Sequence, residues 1–585
     1  NLDRHFSDFM MTFHKYEEKT LRFTFGLLSY YTRNGHICME IESIANRDVY
    51  EGDGQFKLPD IEDLRELIKA SPVIGKPGDL APIIKDGDRL YLHRFWYYEQ
   101  MLIDKIKRRI KDNIGELDYE RLRRALDLFF QRGDDKEPDW QKIAAILSLI
   151  RSFCVISGGP GTGKTTTVIK ILSLLLMYYG GDLRITLSAP TGKAAARLRD
   201  AIRSIKPELK CPQDIIKAIP EDVYTIHRLL GINNNKLRFH AGNPLPYDVV
   251  VVDEASMVDV ALMSKLFSAL KDDAKIILLG DRNQLASVEA GAVLGDICGD
   301  EELNIFSEPI KRAVEEVTDY RLSTPTPSQH FSIRDSIVEL RKNYRFKDYT
   351  NIHMISGAIK RGDYEEAINL LKSGKSWFKL PPPHDLREAL RDSVVDGFRS
   401  YLNKKGDPLN ALKGFEEFRI LSPLRGGPYG VEHINVLVEQ ILKQEGLIEI
   451  QGRWYVGRPV MITTNDYNLM LFNGDIGITL RDSNGELKVF FSAQDGGIRK
   501  FLPSMLPHHE TVYAMTVHKS QGSEFERALL ILPDTYTDLL TRELLYTAIT
   551  RVKRGVEVWA LEDIFKMSIL ARIRRASGLK DALWV

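Results

Sequence analysis

The chain has 585 residues, of which 43% are hydrophobic, and its 81 lysines and arginines balance its 81 aspartates and glutamates. At about 100–200 residues per domain, this length predicts about three to five domains, and the apolar content excludes wholesale disorder. Zero net charge excludes a uniformly basic nucleic-acid coat, but not a local basic groove. The four cysteines form no paired motif, and no apolar run reaches the roughly 20 residues that a membrane-spanning helix needs, so we expect an intracellular protein.

Residues 1–125 carry no phosphate-binding loop, and we predict a mostly helical N-terminal domain there. Its basic stretch, residues 105–111, is typical of a solvent-exposed helix face. Over residues 126–325, short β-branched runs alternate with longer helical patterns. Such alternation predicts an α/β domain with a parallel sheet that helices cover on both faces. The predicted strands are 153–157, 184–188, 249–252 and 275–279, and the predicted helices are 165–179 and 192–205.

The most specific motif, GGPGTGKT at residues 158–165, satisfies G-x-x-x-x-G-K-[ST] between an apolar strand and a helix. Its glycines let backbone N–H groups close around phosphate oxygens, and the helix N-terminus adds about half a positive charge. Lys164 can reach the β- and γ-phosphates, and the Thr165 hydroxyl can ligate Mg²⁺. The predicted ATP-binding residues are Gly158, Gly159, Pro160, Gly161, Thr162, Gly163, Lys164, Thr165 and Thr166.

Further candidate groups for ATP hydrolysis follow the predicted strands. A run of four valines leads into Asp253 and Glu254, which places both carboxylates at the carboxyl edge of the sheet. We predict that Asp253 shares Mg²⁺ with Thr165 and that Glu254 activates the attacking water as a general base. Gln284, after another strand, is predicted to sense the γ-phosphate. Upstream of the phosphate loop, the Gln141 amide is predicted to pair with the N6/N7 edge of adenine.

A polar segment at residues 323–329 predicts a linker, and a second α/β region is predicted over residues 326–585. Asn-Gly turns between short alternating runs predict a small β-barrel insertion at about 450–510. The strands predicted for the second α/β domain itself are 418–422, 513–517, 528–532 and 556–559.

Arg345 and Arg551, both in this second region, are candidate arginine fingers. Phosphoryl transfer builds negative charge, and an arginine placed there is worth roughly 10³–10⁵ in rate. If both arginines belong to the second α/β domain, ATP lies in the cleft between the two domains. Closure of that cleft then depends on the γ-phosphate, which makes it a switch.

Polar residues in loops after predicted strands are candidates for contacts with single-stranded DNA. Threonine hydroxyls and backbone amides suit phosphate contacts that hold register without reading sequence. The alternative for each of them is a residue that only caps a helix. The candidates are Thr191, Lys193, Thr225, His227, Arg228, Thr516, His518 and Lys519.

Taken together, these motifs resemble those of superfamily 1 helicases. Beyond the phosphate loop, the resemblance rests on motifs Ia, II, III, V and VI at residues 189–194, 253–256, 280–285, 517–525 and 546–551. More narrowly, the chain resembles the RecD family, the alpha subunits of RecBCD exodeoxyribonuclease V, which are helicases of the SF1B type. This narrower resemblance rests on residues 156–167, 286–298, 471–477 and 514–522.

The resemblance implies two RecA-like P-loop NTPase domains, a small SH3-like barrel inserted in the second, and ATP with Mg²⁺ as cofactors. It also implies 5′-to-3′ translocation on single-stranded DNA in a heterotrimer with RecB and RecC, in the bacterial cytoplasm. The complex would unwind DNA ends for double-strand break repair and recombination, with the nuclease in another subunit. Residues 1–125 would dock on RecC, and Gly522 and Glu524 would lie at the nucleotide. The alternative is an ATP-binding regulatory subunit of a nuclease complex without processive motor activity.

Overall fold

The computed structural model describes residues 2–584 apart from 17, 52–53, 112–114, 116, 131–136, 234–235, 323–331, 345–349, 467 and 494–495. The predicted linker and the candidate Arg345 therefore lie outside the described residues. Within the described ranges, no helix combines the length and the apolar composition that crossing a membrane requires.

The described part of the N-terminal domain is about half helical, less than predicted, and it also contains a four-stranded sheet in the order β1-β6-β5-β4 and a hairpin, β2–β3. These strands have two to four residues each, which is too short for alternation to reveal them in the sequence. The helices are α1 (Leu2–Met11), α2 (Lys19–Arg33), α3 (Ile61–Ala70) and α4 (His93–Ile110). The strands are β1 (Cys38–Glu40), β2 (Asp48–Glu51), β3 (Gly54–Lys57), β4 (Ile74–Gly75), β5 (Ile83–Asp86) and β6 (Arg89–Leu92).

The basic stretch at residues 105–111 forms the predicted solvent-exposed face only in part: Arg108 and Lys111 are exposed, whereas other residues pack against the next domain. Arg109 is only 3% exposed and donates to the Lys271 carbonyl at 2.9 Å. Lys105 forms an ion pair with Asp272 at 3.3 Å. Helix α4 thus joins the N-terminal domain to the first α/β domain.

The first α/β domain is built on a six-stranded parallel sheet in the order β12-β7-β11-β10-β8-β9. Along β7, Cys154 and Ile156 pack in one apolar cluster and Phe153 and Val155 in another, so both faces of the sheet are covered. Its strands are β7 (Phe153–Gly158), β8 (Ile185–Ala189), β9 (Val223–Thr225), β10 (Val249–Val252), β11 (Lys275–Gly280) and β12 (Ile337–Leu340). Its helices are α5 (Tyr119–Phe129), α6 (Trp140–Ile150), α7 (Lys164–Tyr179), α8 (Gly192–Ile205), α9 (Gln213–Ala218), α10 (Ile226–Leu229), α11 (Val260–Ala269), α12 (Val293–Cys298) and α13 (Glu308–Val317).

Strand β12 lies beyond the predicted domain boundary at residue 325, yet it pairs with β7 in parallel. The first α/β domain therefore extends to residue 340, further than the sequence suggested. A four-residue strand such as Ile337–Leu340, which contains Glu339, does not show in the sequence which of the two sheets it joins, and this one follows the polar linker.

The second α/β domain is built on a five-stranded parallel sheet in the order β13-β22-β21-β14-β20. Its strands are β13 (Trp377–Lys379), β14 (Phe418–Ser422), β20 (Ala514–Thr516), β21 (Phe525–Ile531) and β22 (Val552–Ala560). Its helices are α14 (Thr350–Arg361), α15 (Tyr364–Ser373), α16 (Leu386–Asn403), α17 (Pro408–Phe415), α18 (Val431–Gln444), α19 (Arg542–Thr550) and α20 (Glu562–Leu570).

An antiparallel sheet is inserted between α18 and β20, in the order β18-β17-β16-β15-β19. The two predicted Asn-Gly turns are present, with positive φ at Gly474 (+94°) and Gly485 (+81°). Its strands are β15 (Pro459–Ile462), β16 (Ile476–Arg481), β17 (Leu487–Ser492), β18 (Ile498–Phe501) and β19 (His509–Thr511).

Residues 571–584, which we call the return segment, leave the second α/β domain and pack on the first and on the N-terminal domain. The sequence placed them in the second domain. The backbone N–H of Ile37 donates to the Ala576 carbonyl at 2.9 Å, and that of Gly578 donates to Glu99 Oε1 at 2.8 Å. In helix α21 (Leu579–Leu583), Leu579 is fully buried in the apolar cluster beneath the first sheet. This segment therefore ties all three domains together.

A pH-dependent contribution to stability is expected where the return segment meets α12. Asp296 accepts a hydrogen bond from Ser577 Oγ at 2.8 Å, and burial, with a smaller contribution from the charge of Glu99 on α4, raises the pKa of its carboxyl to about 7. Lys580 and Arg575 oppose the shift. An unfolded aspartate has a pKa of about 3.9, so between about pH 4 and 7 only the native state keeps the proton. Stability should therefore fall as pH rises through this window.

Replacing Asp296 with asparagine removes that titration. The Asp296→Asn variant should gain on the order of 1–2 kcal/mol relative to the parent at pH 8 and show a flatter pH dependence between pH 5 and 8 in denaturant unfolding. Asp300 is a neighbouring control, since its ion pair with Lys580 lowers the pKa of its carboxyl. Asp300→Asn should leave the slope in this window unchanged, and an unchanged slope in Asp296→Asn would contradict the expectation.

Candidate functional site

The phosphate loop lies between the carboxyl end of β7 and the start of α7. Gly161 and Gly163 adopt φ of +83° and +80°, the left-handed region that side chains rarely adopt, which explains the glycines at these positions. Lys164 Nζ donates to the carbonyls of Gly158 at 2.6 Å and Gly159 at 3.2 Å. Thr165 and Thr166 follow in the first turn of α7. The ammonium and the helix N-terminus thus point to one anion-binding centre.

Asp253 and Glu254 follow β10, with the Asp253 N–H donating to the Ser188 carbonyl at 2.8 Å. Burial first, and then the charge of Glu254, raises the pKa of Asp253 to about 6, and Lys164 acts in the opposite direction. Glu254 has a φ of +52°, a strained conformation for a non-glycine residue and one that clusters at functional sites. The Asp253 carboxylate and the nearby Thr165 hydroxyl offer the hard oxygen ligands that a divalent cation such as Mg²⁺ prefers.

A cavity of about 780 Å³ opens beside the phosphate loop and includes Gln141 in its lining. Gln141 Nε2 donates one hydrogen bond to the Thr162 carbonyl at 3.0 Å. Trp140 and Tyr344 also line this cavity, and the backbone N–H of Tyr344 donates to the Gly161 carbonyl at 2.8 Å. Sequence reasoning missed Trp140 and Tyr344, although each adjoins a predicted site residue.

The loop after β11, residues 281–285, which we call the sensor loop, contacts the second α/β domain. The Leu285 N–H donates to Thr547 Oγ1 at 2.9 Å, and Gln521 Nε2 donates to the Leu285 carbonyl at 2.9 Å. The Leu285 side chain is 2% exposed and belongs to the apolar cluster of the second domain. Gln284 Nε2 donates to Asp281 Oδ2 at 3.2 Å. The predicted γ-phosphate sensor therefore lies where the two domains meet.

Arg551 ends α19 in the second α/β domain and is 3% exposed. Its Nε donates to the Thr547 carbonyl at 3.3 Å, and its charge opposes the rise in the pKa of Tyr546. The side chain is therefore buried on the same helix that contacts the sensor loop. Its role as an arginine finger stays a prediction, as does that of Arg345.

Gly522 and Glu524 are tied to the first α/β domain by Arg197 on α8. Arg197 donates to the Gly522 carbonyl at 2.6 Å and forms an ion pair with Glu524, also at 2.6 Å. Burial opposes the charge of Arg197, but Glu524 raises the pKa of its guanidinium, and Glu254 and Asp253 add smaller contributions, which places the guanidinium near those carboxylates. Sequence reasoning missed Arg197, whose only signal was its position one helical turn after Lys193 in motif Ia.

The DNA-contact candidates lie at the carboxyl ends of β8, β9 and β20, one edge of each parallel sheet. Thr191, Thr225 and Thr516 each accept a hydrogen bond from a backbone N–H three residues later, at 3.2, 3.2 and 3.4 Å. The three threonines therefore cap helices, which was the alternative to a DNA contact in the sequence analysis. A hydroxyl that accepts a cap bond still has its own hydrogen to donate, so capping and phosphate binding are compatible.

The charged candidates are engaged within the protein. Lys193 Nζ donates to Ser523 Oγ at 2.7 Å across the two domains, and burial lowers the pKa of Lys193 to about 8. Lys519 forms an ion pair with Glu510 at 2.7 Å. Burial also lowers the pKa of His227 and His518, which favours the neutral rings, while the Arg228 guanidinium lies 5.4 Å from the Tyr224 ring centroid.

The inserted sheet reaches the same edge of the first α/β domain. A Cβ added at Gly192 would meet Phe472 Cγ at 2.9 Å, so the ring packs directly on the backbone where α8 begins. Glycine is required at this position because any side chain would push the ring away.

Family models match three parts of the chain. Residues 1–91 match the "RecBCD enzyme subunit RecD, N-terminal domain", residues 141–290 an "AAA domain", and residues 511–558 the "UvrD-like helicase C-terminal domain".

Several relatives are similar over most of the chain. RecBCD enzyme subunit RecD of Haemophilus influenzae is 35% identical over 540 residues, which cover 86% of this chain and 81% of that protein. The subunit of the same name from Mycolicibacterium smegmatis is 34% identical over 572 residues, covering 94% and 91%. ATP-dependent RecD2 DNA helicase of Deinococcus radiodurans is 30% identical over 401 residues, covering 68% and 46%. Among solved structures, Bacteroides Pif1 bound to ssDNA is 17% identical with a TM-score of 0.41, covering 76% of this chain and 95% of that one.

Proposed function

The chain belongs to the RecD family of RecBCD enzyme subunits and is an ATP-dependent DNA helicase subunit; from that premise we propose that it moves 5′ to 3′ along single-stranded DNA. In this proposal it acts in a heterotrimer with RecB and RecC that unwinds DNA ends for double-strand break repair and recombination.

One observation carries the motor mechanism: the phosphate loop of the first α/β domain faces a sensor loop that is bonded to the second. In the second domain, Gln521 donates to the Leu285 carbonyl and Thr547 accepts from the Leu285 N–H. Binding or loss of a γ-phosphate at Gln284 therefore acts directly on the interface between the domains. Opening a DNA base-pair step costs about 1.4 kcal/mol on average, so repeated closure must be driven by ATP.

The residues of the nucleotide site divide the chemistry of hydrolysis among them. Lys164 and the α7 N-terminus bind the phosphates, and Glu254 accepts the proton of the attacking water. Thr165 and Asp253 would hold Mg²⁺, which supplies charge neutralisation at the β- and γ-phosphates when bound. Arg551 is proposed to stabilise the charge that develops on the transferred phosphoryl group, with Arg345 as a second finger.

The DNA track is proposed to follow the strand ends that carry Thr191, Thr225 and Thr516, whose hydroxyl hydrogens donate to successive phosphates. Phe472, in the loop between β15 and β16, packs on Gly192 at this edge. The insertion's five antiparallel strands and its own apolar cluster support an SH3-like barrel.

Docking of the N-terminal domain on RecC is supported by large apolar side chains that this domain leaves in solvent. Such groups mark interaction surfaces when they occur together. The most exposed are Leu80 (98%), Tyr16 (85%), Tyr50 (69%), Leu2 (64%), Phe9 (58%) and Phe13 (54%).

Strand displacement on tailed duplexes tests unwinding and polarity together. The chain, assembled with its partner subunits in which the RecB motor is inactivated, should displace the strand from a duplex with a 5′ overhang and not from one with a 3′ overhang. ATP hydrolysis should rise when single-stranded DNA is added. If single-stranded DNA does not stimulate ATP hydrolysis and no strand is displaced, the result would instead favour the alternative, an ATP-binding regulatory subunit without motor activity.

Replacing Gln141 with alanine should weaken adenine recognition specifically. One Gln141 N–H is used on Thr162, which leaves the other N–H for adenine N7 and Oε1 for N6. We expect KM for ATP to rise about 10-fold while KM for GTP changes little, because a bidentate amide–adenine pair is worth about 1–3 kcal/mol of discrimination. Steady-state kinetics with both nucleotides measure this, and an equal rise for both would contradict the assignment.

A further inference from the structure

Asp281 is a buried carboxylate at the base of the sensor loop, 1% exposed. Within the described part of the chain, no basic side chain lies within ion-pair distance of it. Its Oδ1 accepts the Asn283 N–H at 2.9 Å, and its Oδ2 accepts both Gln284 Nε2 at 3.2 Å and the Tyr546 hydroxyl at 3.0 Å. Hydrogen-bond donors, and not a counter-ion, therefore stabilise the Asp281 carboxylate, and one of these donors, the Tyr546 hydroxyl, belongs to the second α/β domain.

Tyr546 brings its hydroxyl to the phosphate loop from helix α19 of the second α/β domain. The side chain is 6% exposed, and a Cβ added at Gly159 would meet the hydroxyl oxygen at 2.8 Å. Burial and the Asp281 charge raise the pKa of Tyr546 well above its ordinary value, so the phenol stays protonated and donates. The hydroxyl thus lies between the phosphate loop, Asp281 and its own helix.

We propose that Tyr546 is a positioning residue for ATP hydrolysis, which orients the γ-phosphate sensor Gln284 by holding Asp281 across the domain interface. This inference rests on the proposed function, in which Gln284 reads the γ-phosphate. Asp281 Oδ2 fixes one N–H of the Gln284 amide, and the other N–H and Oε1 remain to face the nucleotide. Because the tyrosine belongs to the second domain, the amide is aligned only while the two domains are together.

A second contact from helix α19 makes the arrangement specific to the sensor loop. Thr547, next to Tyr546 on α19, holds the Leu285 N–H, so the helix grips both ends of the loop. Any movement of α19 away from the first domain breaks both bonds at once. The orientation of Gln284 then depends on the closure of the cleft, which is how hydrolysis would be confined to the closed state.

Tyr546→Phe removes the hydroxyl and keeps the ring. Loss of one hydrogen bond to a charged acceptor corresponds to a factor of about 10 to 100, so we expect kcat for single-strand-stimulated ATP hydrolysis to fall by about that factor. KM for ATP should stay within about twofold, because the substitution changes no residue of the phosphate loop or of the cavity that Gln141 lines. Tyr401→Phe is the matched control, since it removes a buried hydroxyl that donates to the Gly457 carbonyl at 3.0 Å, away from the sensor loop.

The route through Gln284 is tested by combining variants. In a Gln284→Ala background, Tyr546→Phe should lower kcat by less than about twofold, because the group that it positions is gone. A further drop of the same factor as in the parent would overturn the inference and assign Tyr546 a purely structural role. So would a wild-type kcat in Tyr546→Phe, or an equal loss in Tyr401→Phe.

Thermal unfolding of each variant separates misfolding from misalignment, with Tm expected to differ between Tyr546→Phe and Tyr401→Phe by no more than a few degrees. The proposed function fails separately: parent protein without DNA-stimulated hydrolysis overturns it, whereas an active parent with an equally active Tyr546→Phe variant overturns only the role of Tyr546.

Discussion

Replacing Lys164 with glutamine should lower the rate of DNA-stimulated ATP hydrolysis by about 100- to 1000-fold. The lysine ammonium lies within the phosphate loop, bonded to the carbonyls of Gly158 and Gly159, and would turn to the β- and γ-phosphates when ATP binds. Glutamine has a similar length but no charge, so the negative charge of the transition state loses its main cation from this domain. A coupled assay of ADP release with saturating single-stranded DNA measures the rate.

Lys271→Gln is the control for this change, since Lys271 lies in the same domain and forms an ion pair with Asp248 at 2.7 Å, at the amino ends of β10 and β11 and therefore at the edge of the sheet opposite the loop. It should hydrolyse ATP at the parental rate. Full activity in Lys164→Gln would mean that ATP is hydrolysed elsewhere, and the whole assignment of the cleft would be wrong.

Arg551→Ala is expected to lower kcat by about 10³, with KM for ATP nearly unchanged, because an arginine finger acts on charge that exists only in the transition state. Arg551 is buried at the end of α19, on the helix that carries Tyr546 and Thr547. The buried guanidinium also packs in the domain, so Tm should be measured alongside the rate. Single-turnover hydrolysis separates the chemical step from nucleotide binding.

Arg554→Ala provides the comparison, since this arginine is 63% exposed at its side chain and pairs with Glu526 at 2.9 Å. We expect it to retain parental kinetics. If Arg551→Ala loses less than about tenfold in kcat while remaining folded, Arg551 is a structural residue, and the transition-state charge must be met by another group.

The central strands of both parallel sheets could be predicted because burial on both faces makes them short and largely apolar, although Phe418–Ser422 also contains the buried Arg419. Val249–Val252 and Phe418–Ser422 have the predicted bounds, and helix Gly192–Ile205 does as well. The phosphate loop was predictable for a related reason: the conformations of Gly161 and Gly163 and the approach of phosphate leave little choice of residue.

Other elements are determined by contacts distant in the sequence, which local patterns do not encode. Strand β12 joins the first sheet across the linker, and the N-terminal sheet has strands too short to show a period. In the site, Arg197 and Tyr344 were missed because their partners lie in other segments. The pairing of Lys193 with Ser523 likewise depends on how the two domains meet.

The return segment has a consequence for how this chain is made on the ribosome. Leu579 and Leu583 complete the apolar cluster beneath the first sheet, whose other members were translated hundreds of codons earlier. Domains generally fold as they emerge from the ribosome, N-terminal first. The first α/β domain, however, cannot complete the apolar cluster beneath its sheet until Leu579 and Leu583 have been synthesised. The exposed underside would remain a binding surface for chaperones throughout synthesis of the second α/β domain, and a polypeptide stopped before residue 579 would keep it permanently.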